Sequence, residues 1–131
     1  MRILICFMVV LCVVIGCHLL NIPSLPTHNQ QIDHGKQLFY EGTETVPACS
    51  GCHISSNSEH RLYIAAPKLV GIGSRANHRQ PQMSATDYLH ESIVYPDAYL
   101  VDGFPNSMFP DYGLHLNEYD IQSLILYLLT L

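Results

Sequence analysis

Residues 48–54 read ACSGCHI: two cysteines two positions apart, with a histidine directly after the second. That spacing leaves three chemistries: a dithiol couple, half of a zinc site, or a haem held through two thioether bonds. Each demands something different from the rest of the 131 residues. A thioredoxin-like couple sits in a βαβ unit, and no strand pattern precedes this motif. A structural zinc site needs two further ligands, commonly another CxxC or an HxxxH. The other cysteines are Cys6, Cys12 and Cys17, and they form no second pair. The other histidines (His18, His28, His34, His60, His78, His90 and His115) never fall four apart.

The N-terminus sets the compartment. Arg2 precedes an unbroken apolar run from Ile3 to Ile15. The run is shorter than the roughly 20 residues of a membrane-spanning helix. It fits the about 7–15 residues of a signal-peptide apolar region. Residues 1–16 therefore read as an export signal. VIGC, at 14–17, resembles a bacterial lipobox, which implies cleavage before Cys17 and diacylglycerol on its sulfur. The alternative is an uncleaved anchor continuing through HLLNI. Either way the domain lies outside the cytoplasm, at the outer face of the bacterial cytoplasmic membrane. Cys6 and Cys12 leave with the signal and Cys17 takes the lipid, so Cys49 and Cys52 are the thiols of the mature domain. One close pair is no disulfide framework. What survives is CxxCH as a c-type haem attachment site. Two thiols bond the vinyl groups, and His53 comes up beneath the iron as the proximal ligand.

The other haem face needs a ligand too. DGFPNSMFPDYG, 102–113, places Met108 between Pro105 and Pro110, with Gly103 and Gly113 outside. Proline fixes φ and removes a donor, so this stretch is a stiff loop. A thioether on such a loop can be held at a fixed distance from iron, and His/Met ligation raises the reduction potential. Met108 could instead fill a gap in the core, as methionine often does. Met83 is the rival; it precedes a helix start, where an apolar residue packs as a staple. His78, His90 and His115 remain as bis-histidine alternatives.

Residues 31–131 resemble a class I cytochrome c, and the likeness extends beyond CxxCH. QIDHGKQLFYEG resembles the family's N-terminal helix, with Gly35 and Phe39 on one face. LNEYDIQSLILYLLTL resembles its C-terminal helix, with Leu124 and Tyr127 three apart. The resemblance implies that these helices cross closely at the glycine. APKLVGIGSRA resembles the segment after the haem motif, which implies that the Pro67 carbonyl accepts a hydrogen bond from His53 and that Arg75 meets a haem propionate. DYLHESIVYPDAYLVDGFPNSM resembles the helix and ligand loop of bacterial members. Two features depart from the pattern. Phe109 stands between Met108 and Pro110, where many relatives have proline directly after the methionine. EGTETVPA lengthens the path from Gly35 to Cys49 and reads as an inserted loop.

The expected domain is small and all-α, with loops wrapped round one covalent haem c. NIPSLPTHNQ has prolines and no periodicity, so residues 17–30 read as a lipid-anchored tether. A first helix is expected over roughly 31–41, ending at Gly42. Residues 59–82 read as mostly loop. SATD predicts a helix starting at Ser84, with Tyr88, Leu89 and Ile93 on its apolar face and Pro96 ending it. The last helix takes Asn117 or a neighbour as its cap, with Glu118 and Asp120 at its positive end.

Charge is uneven. Arg61, Lys68, Arg75 and Arg79 cluster within 61–79, and seven acids with no Lys or Arg follow. The basic residues are either solvated, with one serving a propionate, or one side of a surface that orients a redox partner. Net acidity, −5 for the whole chain, disfavours nucleic acid as a partner. The resemblance implies a membrane-tethered monohaem cytochrome c, an electron-transfer protein and not an enzyme. It would carry single electrons between complexes: a quinol-oxidising complex, a terminal oxidase or a photosynthetic reaction centre. A second reading is a fixed haem subunit of a terminal oxidase or of a quinol-oxidising assembly resembling alternative complex III. A third is a ligand-binding or peroxidatic haem protein with an open sixth position, against which a held Met108 argues.

Overall fold

A computed structural model of the chain describes residues 24–57 and 66–131. The signal residues, Cys17, the first part of the tether, and His60 and Arg61 lie outside the described residues. Five helices follow one another: α1 His28–Glu41, α2 Ile72–Arg75, α3 Ala85–Val94, α4 Tyr112–His115 and α5 Glu118–Leu128. Two 3₁₀ turns join them, at Cys49–Gly51 and Ala76–His78. No strand occurs among the described residues, so the described part of the chain is helical, as expected.

The ends of α1 follow from local hydrogen bonding. The Thr27 hydroxyl accepts the Gln30 N–H at 3.3 Å, and the Gln30 side chain accepts the Thr27 N–H at 2.8 Å. This capping box starts the helix at His28, earlier than the expected 31. Gly42 ends it, as expected, donating its N–H to the Leu38 carbonyl at 2.9 Å. Its φ is +67°, and a Cβ there would stand 2.5 Å from the Val46 carbonyl oxygen, so glycine is needed on both counts. The lengthened EGTETVPA segment is a built turn. The Thr43 hydroxyl accepts the N–H groups of Thr45 and Val46, and Val46 is folded into the core.

The α1–α5 pair forms the frame. Asn117 caps α5, and a second capping box joins it to Asp120. Ile121, Leu124, Ile125 and Leu128 recur at helical spacing and are all buried. At the crossing, a Cβ on Gly35 would lie 1.9 Å from the Ser123 carbonyl oxygen. The two backbones are therefore in contact, and Gly35 sits where the sequence placed the crossing. One turn along, the fully buried Phe39 ring meets Tyr127 with centroids 5.4 Å apart. Next to the crossing, His34 Nε2 meets Asp120 Oδ1 at 2.7 Å, and the His34 ring stacks on Tyr119.

The shorter helices fill in the sides. Ser84 caps α3, accepting the Asp87 N–H at 3.1 Å, while its own hydroxyl donates to the Asp87 carboxylate at 2.6 Å. Tyr88, Leu89 and Ile93 are buried along that helix. Residues 72–78 are helical where loop was expected. Gly73 made that stretch look broken, yet it serves packing: a Cβ there would stand 2.4 Å from the Leu129 carbonyl oxygen. Likewise Tyr112–His115 turns into a helix at the end of what read as plain loop, because Tyr112 and Leu116, four apart, are both buried. Among the described residues no helix is long and apolar enough to cross a membrane.

Gly35→Ala tests the frame. The added methyl forces α1 and α5 apart, so stability should fall by about 1–3 kcal/mol or more, the range for overpacking a tight interface. Chemical denaturation with helicity as the probe measures it.

Candidate cofactor site

Between α1, α3, α5 and the loops lies a cavity of about 500 Å³, within the roughly 300–1,000 Å³ typical of ligand pockets. Its walls are mainly apolar: Phe39 and Leu124 from the crossing helices, Leu89 and Ile93 from α3, and Leu100 and Phe104 from the long loop. Cys49, Cys52, His53 and Met108 all border it.

The cysteine motif is shaped by its own turn. The Cys49 carbonyl accepts the N–H groups of Cys52 and His53, at 3.1 and 2.9 Å. This winds the two thiols and the imidazole round one short 3₁₀ turn. Just beyond, the Leu69 N–H donates to the Ile54 carbonyl at 2.7 Å and closes the base of the following segment. Pro67 is thereby brought over His53, and His53 Nδ1 lies 2.8 Å from the Pro67 carbonyl oxygen. A carbonyl can only accept, so Nδ1 carries the proton and Nε2 keeps a free lone pair. Burial pushes the His53 pKa below its usual value, opposed by the Pro67 bond. The ring is neutral at pH 7 and suited to ligation.

The thiols differ. Cys52 is exposed and Cys49 half-buried, and both are free. Burial pushes the Cys49 thiol up to about 11, although the Tyr112 hydroxyl beside it pulls the other way. A thiol held protonated at neutral pH is a poor nucleophile for disulfide exchange. Nor does any group of three His, Cys, Asp or Glu side chains converge among the described residues, as a zinc site requires.

Met108 is half-buried and borders the cavity. The rival Met83 packs against the core without reaching the cavity. Among the described histidines, His53 alone borders it; His78, His90 and His115 do not. Phe109, the residue that departs from the family pattern, packs edge-on to Tyr112 with centroids 5.2 Å apart and anchors the loop just after Met108.

Arg75 donates to the backbone carbonyls of Val70 and Lys68 and does not border the cavity. Arg79 and Lys68 do. Arg79 borders the cavity, while its Nε is itself buried and has no hydrogen-bond partner among the described residues. Sequence reading also passed over Tyr112, whose hydroxyl donates to the Pro47 carbonyl at 2.9 Å. Its spacing from Leu116 was the available signal.

No protein-family model matches the chain, and no curated protein matches it.

The unequal thiols give a direct test. In haem-free chain at pH 7.5, alkylation should reach Cys52 well before Cys49, because Cys49 is both shielded and held as the thiol. Peptide mass mapping over a time course reads the order.

Proposed function

We propose that the protein is a monohaem class I cytochrome c, exported and tethered through Cys17 to the outer face of the bacterial cytoplasmic membrane, which carries single electrons between redox complexes. One observation carries the reading. The Cys49, Cys52 and His53 turn and the distant Met108 loop border one apolar cavity, from which Met83 and the other described histidines are absent.

The residues fit the group. Cys49 and Cys52 would hold the haem by thioether bonds, and His53 Nε2 and the Met108 sulfur would ligate its iron. When bound, haem supplies the one-electron step, cycling between ferric and ferrous iron. The chain's own residues do the rest. Pro67 fixes the tautomer and the plane of the His53 ring. Phe39, Leu89, Ile93 and Leu124 keep water from the cavity. A low-dielectric wall and a thioether both favour the less charged ferrous state and so raise the potential. Arg79 and Lys68, which border the cavity, and Arg75, which the resemblance pairs with a propionate, are the candidate cations for the haem carboxylates.

Acid–organic extraction tests the attachment: haem should stay with the polypeptide, and haem that partitions into the solvent overturns the reading. Substitution tests the sixth ligand. Met108→Ala should abolish the weak long-wavelength band of Met–Fe(III) coordination, lower the potential, and let the reduced protein bind carbon monoxide. Met83→Ala should keep the band and cost only packing. The reverse pattern would assign the ligand to Met83.

A further inference from the structure

Two groups that function together are fixed at distant points of the chain: the attachment turn at 49–53 and the Met108 loop. The structure shows how they are tied. The loop is braced on its N-terminal side by two turns, with the Phe104 N–H donating to Val101 O at 3.1 Å and the Ser107 N–H to Pro105 O at 3.0 Å. Gly103, at φ +85°, allows the first of them. On its C-terminal side, Pro110 fixes the backbone, and Phe109 and Tyr112 pack edge to face at 5.2 Å. Tyr112 is buried, and its hydroxyl crosses to the Pro47 carbonyl at 2.9 Å, beside the Cys49 thiol. A single phenol thus joins the end of the Met108 loop to the backbone that enters the cysteine turn.

We propose that Tyr112 is a positioning residue for the sixth ligand: its hydroxyl holds the Met108 loop to the Pro47–Cys49 segment and so keeps the thioether in place. This rests on the cytochrome reading above. The logic is one of local opening. For Met108 to leave, the loop must swing away, and its C-terminal pivot is α4. While Tyr112 bonds Pro47, the opening must break this part-buried hydrogen bond. Without the hydroxyl, opening is easier although the ring still packs. Gly113 lies against Val94, where a Cβ would come within 2.8 Å of Val94 Cγ1. The pivot is therefore close-packed on α3, and motion is confined to the loop.

The experiment uses the full-length haem-loaded protein and cyanide as the probe, because cyanide binds ferric haem only when the methionine is off. Tyr112→Phe deletes the hydroxyl and keeps the ring. It should retain covalent haem and bind cyanide about tenfold faster than wild type, as expected from the net worth of one hydrogen bond. Tyr40→Phe is the control. Its hydroxyl bonds Ser55 at 2.8 Å, away from the loop, and Tyr40 does not border the cavity. It should bind cyanide at the wild-type rate.

Equal cyanide rates in Tyr112→Phe and wild type overturn the proposal while leaving the cytochrome reading intact. Equal acceleration in both variants also overturns it, since the effect would then be one of global stability. Failure of Tyr112→Phe to accumulate, where Tyr40→Phe accumulates, assigns the hydroxyl to the fold and not to the ligand loop. A wild-type protein without covalent haem removes both readings together.

Discussion

Everything in this domain is hung on the contact of two backbones at Gly35. With hydrogen in place of a side chain, α1 comes down onto the Ser123 carbonyl of α5. Their neighbours then fall into place. Phe39, one turn beyond Gly35, and Leu124, next to Ser123, turn towards the same space and become a wall of the cavity. The buried Ser123 hydroxyl donates to the Tyr119 carbonyl of its own helix at 2.6 Å, so a polar side chain at the crossing needs no partner from α1. Asp120 serves twice, capping α5 with one oxygen and receiving His34 of α1 with the other. The start of α5 and its docking are thereby linked.

The sequence was most legible where a rule is local. CxxCH needs only spacing. Ser84 and Asn117 are both caps because each side chain accepts the backbone N–H three residues on. Gly42 ends α1 because no other residue tolerates that φ so close to Val46. Legibility failed where long-range packing decides. Gly71 and Gly73 suggest a loop, but Gly73 is present because Leu129, far along the chain, presses on it. The one turn at Tyr112–His115 was hidden by the prolines and glycines around it. Its cause, burial of Tyr112 against the cysteine turn, is tertiary.

The same division runs through the cavity. Residues whose chemistry dictates their neighbours, such as Cys49, Cys52, His53 and the methionine between prolines, were found by type and spacing. The arginines were not separable that way. Arg75 and Arg79 lie four apart in one basic stretch. Only the local backbone distinguishes them: Gly71 lets the chain bend so that the carbonyls of Lys68 and Val70 converge on Arg75. Arg79, one turn on, borders the cavity.

Two contacts bring the chain back to the His53 imidazole: the Leu69 N–H donates to the Ile54 carbonyl at 2.7 Å, and His53 Nδ1 meets the Pro67 carbonyl at 2.8 Å. Changing the number of residues between two such fixed contacts costs little, about 0.6 kcal/mol for each doubling of a flexible loop. The direction of the ring is therefore set by a few residues at the contacts and is insulated from changes in length between them.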